Sequence, residues 1–392
     1  MARTRYGNVF YVGLLSLFGG ISQDIFVPIL PLYLANILGF DKALIGVSEG
    51  LVTAGASLFK IAAGFLIDRF GANKPFIFAG YLFSMIARPL LAVAAGSGAV
   101  FALRFLDGVG KGLKDPPKDA LIAASTDAQT RGRGFGIARM LDTFGSVIGP
   151  LLLFALLWLL GHGAASYRII LYATALPLIA TLAILVTKVR ETRADKKPDK
   201  SLAVKLPRRF YWFLAIVLLF NLGNSSDAFL ILRAQNLGVS LLGIPLVFAL
   251  FNFVYAVASV PLGSLSDRIG RERVILLGWA AYAAAYLGFG LAGATWQVWA
   301  LYAFYGLYYA TTEGVAKAFV ADMVEGPQRG RAYGIFNTAI GLIALPASAI
   351  AGGLWDKISP AAPFYFGAAL ALGASLLLFG FLRLSPSAKR AS

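Results

Sequence analysis

Seven ionised side chains fall within the sixteen residues Arg104–Asp119, RFLDGVGKGLKDPPKD, of a 392-residue chain that is 58% hydrophobic and only 14% charged. At 100° per residue, Arg104, Asp107, Lys111, Lys114, Asp115 and Lys118 occupy one arc of roughly 140°. A mixed arc of that kind can hold a charged ligand, or lock neighbouring helices together by ion pairs. Two solitary acids are of another sort: Asp24 in GGISQDIF and Asp227 in LGNSSDAF each stand midway along an apolar stretch. Loss of water favours the neutral form of a carboxyl, so an acid so placed is a candidate for taking up and releasing a proton. Asn221, Asn224, Ser225 and Ser226 add neutral hydrogen-bonding groups beside Asp227, which suits a polar ligand.

Composition removes most other chemistries. The chain has no Cys and a single His, His162 in the polar segment GHGAAS, so thiol nucleophiles, disulfides and imidazole metal clusters are excluded. No G-x-x-x-x-G-K-[ST] phosphate loop is present, which argues against ATP-driven pumping. No cofactor, no resident metal and no enzymatic activity are expected.

The elements that must position these residues are membrane helices. A mean hydropathy of +0.74 is far outside the range of soluble chains. Twelve apolar segments are long enough to cross a bilayer, over 8–37, 43–67, 75–96, 98–125, 134–160, 166–187, 210–236, 241–263, 273–293, 296–322, 331–354 and 362–384. Within the fourth, the charged arc must face protein or a water-filled cavity, because an ionised group facing lipid costs several kcal/mol. Basic residues between segments fall overwhelmingly on the side of the N-terminus: Arg3 and Arg5, Arg69 and Lys74, Arg131 and Arg133, the cluster from Lys188 to Arg209, Arg268 to Arg273, Arg329 and Arg331, and Arg383 to Arg390. Only Lys42, Arg168 and Lys357 lie opposite. That asymmetry puts both termini in the cytoplasm and makes the net charge of +16 a topology signal, not a nucleic-acid footprint. A multi-pass protein of the cell's inner membrane follows, its partner the lipid bilayer, with an N-terminal six-helix bundle over 1–187, a cytoplasmic linker over 188–209 and a C-terminal six-helix bundle over 210–392.

The halves repeat. GFLIDRFGANK at Gly64–Lys74 recurs as GSLSDRIGRER at Gly263–Arg273, and RGRGFGI at Arg131–Ile137 echoes RGRAYGI at Arg329–Ile335. Both pairs follow even-numbered spans, so the halves share one orientation, and a parallel six-plus-six repeat argues for a transporter with its substrate path between the halves. These residues make the chain similar to the major facilitator superfamily over its whole length. GFLIDRFGANK matches the family signature G-x-L-x-D-R-x-G-x-x-K. RFLDGVG at Arg104–Gly110 resembles the fourth-helix motif R-x-x-Q-G-x-G, with Asp107 at the glutamine. GSVIGP at Gly145–Pro150 resembles the fifth-helix motif G-x-x-x-G-P associated with antiporters, but Leu151–Leu153 replace the small residues that normally follow.

The resemblance implies an all-α fold of two pseudo-symmetric bundles, with helices one, four, seven and ten lining a central cavity. It also implies a conformational latch at Gly64, Asp68, Arg69 and Gly71, with Asp267 and Arg268 in the second half. Helix ten then adds Glu313, equivalent to Asp115 in the repeat, and Lys317. The coupling and substrate residues expected on this basis are Asp24, Arg104, Asp107, Lys111, Asp115, Asn224, Asp227, Glu313 and Lys317. Asp24 is expected to pair with Arg104, and Glu49 with Lys60. Arg139 with Asp142 at i, i+3 is expected to be structural, and Lys118 and Asp119 to be gate or interface charges near the cytoplasmic end.

The function expected is secondary active transport by alternating access, as proton-coupled efflux of a small organic compound by a monomer. Four alternatives stand beside it. An organic anion or zwitterion would use Lys111, Lys114, Lys118, Lys317 and Arg233. A divalent metal would use Asp24, Asp227 and Glu313 as oxygen ligands. A lipid flippase would be favoured by lateral openings with an apolar cavity, and an intramembrane enzyme would need a nucleophile and base such as Ser/His or a metal cluster, whereas the sole His, His162, lies at a membrane edge.

Overall fold

The structure, a computed structural model, describes residues 2–126, 131–191, 206–324 and 329–384; at 2–6, 65, 67–69, 131–132, 260, 263–264, 266–267, 313–314, 317–318, 321 and 329–330 it describes the backbone alone. Every regular element among the described residues is helical. That follows from the medium, since a helix satisfies its own backbone N–H and C=O groups where no water can.

The first six spans are α1 (Ala2–Asn36), α2 (Lys42–Phe70), α3 (Lys74–Leu90, prolonged by one tight turn over Leu91–Val93), α4 (Gly96–Ala124), α5 (Arg131–Leu160) and the pair α6 (Ala164–Ala173) and α7 (Ala175–Thr187). The second six are the pair α8 (Arg208–Gly223) and α9 (Ala228–Asn236), then α10 (Gly243–Ile269), α11 (Arg271–Leu291), α12 (Thr295–Met323), α13 (Arg329–Lys357) and α14 (Ala362–Leu384). Nine spans among the described residues are apolar enough to cross a membrane on composition alone, and α4, with its seven charges, is not one of them. The expected seventh span is not continuous, because the chain leaves the helix at Asn224–Asp227. Asn, Ser and Asp there offer the backbone side-chain hydrogen bonds that compete with helix: Ser226 Oγ accepts from the amide of Ala228 at 3.2 Å.

The described chain forms two compact units, residues 1–197 with 240–249, and 198–239 with 250–392. In the first, small residues fix how closely the helices approach. A methyl group on Gly108 would lie 2.5 Å from the carbonyl oxygen of Val52, and one on Gly112 2.5 Å from that of Ala56, so one edge of α4 lies directly on α2. Gly110, on the opposite edge, meets Gly80 of α3 in the same way. A second seam joins α1 to α5, where Gly145 abuts the carbonyl of Leu17 and Gly149 abuts Asp24. Between membrane helices, close backbone approach of this kind supplies the packing that the hydrophobic effect cannot. Gly112→Leu is therefore expected to destabilise the protein by about 1–3 kcal/mol or more. A thermal melt of the solubilised variant that overlays the wild type would refute this. Large apolar side chains such as Trp158, Leu159, Leu176 and Leu376 project outward, as lipid-facing positions require.

In the second unit, aromatic rings fill the interior. Tyr282 and Tyr286 stack with ring centroids 4.0 Å apart, and Phe220 stacks on Trp279 at 4.6 Å.

Candidate functional site

The three glycines that seat α4 on α2 and α3 also aim its charges. Asp107 is fully buried and takes Arg88 of α3 through Arg88 Nε at 3.1 Å. Arg88 is itself buried. It donates through Nη1 to Ser22 Oγ (2.8 Å) and through Nη2 to Gln23 Oε1 (2.6 Å), and Ser22 donates onward to the Thr174 carbonyl between α6 and α7 (2.7 Å). Arg104 turns the other way, to Glu49 of α2 at 2.6 Å, with Asp107 a further 3.7 Å contact. The Phe26 ring lies against both guanidinium groups, at 5.1 and 5.4 Å. Lys111 Nζ approaches Asp107 to 3.5 Å. Asp115 collects Lys60 at 3.3 Å and Lys114 at 3.2 Å.

In front of this network lies a cavity of about 450 Å³ within the first unit. Asp24, Gln23 and Ser16 of α1 line it with Thr53 and Lys60 of α2, Tyr81 and Arg88 of α3, Lys111, Lys114, Asp115 and Lys118 of α4, and Asp142 and Ser146 of α5. Asp24 accepts a hydrogen bond from Ser146. Ser146 lies between Gly145 and Gly149, whose contacts with α1 place it, so the fifth-helix motif serves here to present a hydroxyl to Asp24. The ammonium of Lys114 sits 5.0 Å from the centre of the Tyr81 ring, a cation–π contact on the cavity wall.

In the second unit, Asp227 stands at the break between α8 and α9. Both its oxygens are held: Oδ1 accepts from Tyr305 and Oδ2 from Tyr309, each at 2.9 Å. Asn224 Nδ2 donates to Tyr308 Oη at 3.1 Å. Rings of Phe251, Tyr255, Tyr305 and Tyr309 pack edge-on or face-on around these groups, with neighbouring centroids 5.1 to 6.4 Å apart.

The structure thus brings Asp24, Lys111 and Asp115 to one cavity, with Arg104 and Asp107 in the wall behind, and sets Asn224 and Asp227 among tyrosines. Four expectations are corrected. Arg104 pairs with Glu49 and Asp107, not Asp24, because the α4–α2 seam rotates it toward α2. Glu49 and Lys60 consequently pair with α4 residues and not with each other. Lys118, expected near the cytoplasmic end, is placed on the cavity wall. Arg233 is taken up by the C-terminal end of α11, donating to the carbonyls of Phe289 (3.0 Å), Gly290 (3.3 Å) and Ala292 (3.0 Å), a cation at the negative end of a helix dipole. Arg233→Met is expected to lower stability by about 2 kcal/mol, the scale of hydrogen bonds from a charged donor, with ligand affinity unchanged. Loss of affinity with an unaltered melt would contradict that assignment. The Arg139–Asp142 contact is present at 3.4 Å.

The expected latch is only partly within view. Gly71 and Gly270 take left-handed conformations (φ +64° and +99°), which end α2 and α10. Gly64 lies in α2, and Arg268 is exposed near the end of α10. The side chains of Asp68, Arg69, Asp267, Glu313 and Lys317 lie outside the described residues. At the start of the linker, a segment with no role expected from its sequence, Glu191 accepts from the amides of Asn73 (3.0 Å) and Lys74 (2.8 Å), a carboxylate at the positive end of α3. Among the described residues no group of three His, Cys, Asp or Glu is placed to hold a metal ion.

A family model described as the Major Facilitator Superfamily matches residues 12–232 and, again, 211–392. The chain belongs to the major facilitator superfamily. Within that superfamily, an uncharacterised MFS-type transporter of Methanocaldococcus jannaschii is 34% identical, covering 95% of this chain and 94% of the relative. The multidrug resistance protein MdtH of Klebsiella pneumoniae is 25% identical over 84% of this chain and 81% of its own. Among solved structures, the nucleoside transporter NupG superposes with a TM-score of 0.76 over 97% of this chain and 100% of its own, at 14% identity, a likeness of fold. The superfamily fold of twelve helices in two six-helix bundles makes this protein a multi-pass membrane transporter of a small molecule, not an enzyme.

Proposed function

We propose that this superfamily member is a secondary active exporter, working by alternating access and driven by protons that load and leave Asp24. The observation that carries the reading is the setting of Asp24. It faces a cavity, a hydroxyl is presented to it by the α1–α5 seam, and among the described residues no base comes within ion-pair distance. Arg88 and Lys111, the bases whose charge acts on it, are already engaged by Asp107. A proton and a substrate are then alternative ways of satisfying one carboxylate, which is the requirement for exchanging them across a membrane. The similarity to a multidrug resistance protein supports the outward direction. Asp227, clamped by Tyr305 and Tyr309, is the corresponding acid of the second half.

In this reading residues 1–187 and 210–392 are the bodies that rock, and 188–209 joins them. The protein works as a monomer in the inner membrane, with both termini cytoplasmic as the distribution of Lys and Arg requires. The test is reconstitution into proteoliposomes with an imposed pH gradient and a dye that reports it. At least one compound from a panel of small organic solutes should dissipate the gradient, and its flux should fall at least about tenfold when an ionophore collapses the gradient beforehand. Flux indifferent to the ionophore would refute proton coupling.

A further inference from the structure

The charges around the cavity are sorted by helix. On α2, α3 and α4, Lys60, Arg88, Arg104, Lys111 and Lys114 share, among the described residues, three carboxylates within 4 Å: Glu49, Asp107 and Asp115. Lys118 lines the same wall and, among the described residues, makes no ion pair at that distance. This side therefore carries more bases than carboxylates to pair with them at close range. The opposite side, α1 and α5, places Asp24 and Asp142 on the cavity with the hydroxyls of Ser16 and Ser146, and its one nearby base, Arg139, reaches Asp142 at 3.4 Å. A cavity of about 450 Å³ thus has a basic wall and an acidic wall. The large apolar groups on it are Val52, Tyr81 and Leu178, too few to hold a ligand by burial of hydrocarbon alone.

We infer that the cavity takes a small zwitterion, its anionic group against Lys111, Lys114 and Lys118 of α4 and its cationic group against Asp24 and Asp142. A simple anion would leave its far end against two carboxylates, and a simple cation would meet the lysines. A molecule with both charges satisfies each wall without a counterion, because a charge stripped of water needs an opposite partner. The cavity volume suits roughly ten heavy atoms, given about 30 Å³ for each water-sized group and room to move. The assignment rests on reading this cavity as the substrate site, and it adds the substrate's chemical class.

The test compares, on the full chain in detergent, the thermal shift given by each ω-amino carboxylate in a homologous series with that given by its N-acetyl derivative (anion only) and its methyl ester (cation only). At least one zwitterion should raise the melting temperature more than both of its derivatives do. Lys118→Gln, which breaks no ion pair among the described residues, and Lys114→Gln should each shrink the preference over the methyl ester. Asp142→Asn should shrink the preference over the N-acetyl form. Ligand-free melts of the variants report whether each is folded. The inference is overturned if no zwitterion outperforms both derivatives, or if the preferences persist in all three variants. Because binding is read with no pH gradient, such a failure removes the substrate class alone, whereas flux indifferent to the ionophore removes proton coupling alone.

Discussion

Asp107→Leu should cost the folded protein about 3–5 kcal/mol, more than any other single change on α4, because it removes a buried carboxylate that three bases share and leaves Arg88 with no acid. Asp107 is fully buried and is approached by Arg88 at 3.1 Å, Lys111 at 3.5 Å and Arg104 at 3.7 Å. Arg104 keeps Glu49, and Arg88 keeps the neutral oxygens of Ser22 and Gln23, but neither contact neutralises the charge left on Arg88. Arg88→Met should cost less, since Asp107 retains Lys111 and Arg104. The double variant should be destabilised by less than the sum of the two, by at least about 1 kcal/mol, the coupling expected of residues in direct contact. Thermal unfolding of the four proteins in one detergent decides it. Strict additivity would mean that the buried pair does not hold α3 to α4.

The second large effect concerns transport. Asp24→Asn should reduce flux driven by a pH gradient by more than about tenfold, equivalent to raising the barrier of the limiting step by over about 1.4 kcal/mol, while leaving the fold intact. Asparagine keeps the size of the side chain and can still accept from Ser146, so the α1–α5 seam has no reason to open. What it removes is the group that exchanges a proton. Asp24→Glu, which restores the titratable carboxyl one methylene further into the cavity, should recover part of the flux. A uniform loss in both variants, accompanied by lower melting temperatures, would mean that Asp24 is needed for packing instead.

These two acids also show how far the sequence could be read. The twelve spans, the duplicated signature and the charged face of α4 were legible because hydropathy, motif repetition and charge spacing are one-dimensional properties. The partners of the charges were not. An arc of about 140° on a helix touches more than one neighbour, and spacing alone does not say which. The deciding signal was present in the glycines: Gly108 and Gly112 mark the edge that meets α2 and Gly110 the edge that meets α3, which sends Arg104 to Glu49 and Asp107 to Arg88. Arg88, mid-span in SMIARPLL, was visible as a base needing a partner, and Asp107 at a position where the family usually has glutamine was visible as an acid needing one. The break at Asn224–Asp227 was likewise written in GNSSD, a run of residues that compete with helix. Arg233 could not have been assigned, because the carbonyls that hold it come from a helix end more than fifty residues away.

Proton release on ligand binding is the most direct measure of the claim that substrate and proton share Asp24. Purified protein in weakly buffered detergent solution, mixed with a compound that stabilises it, should release protons in the wild type and none in Asp24→Asn, with binding followed in parallel by the thermal shift. Equal proton release from both proteins would contradict the account and move the coupling to another group.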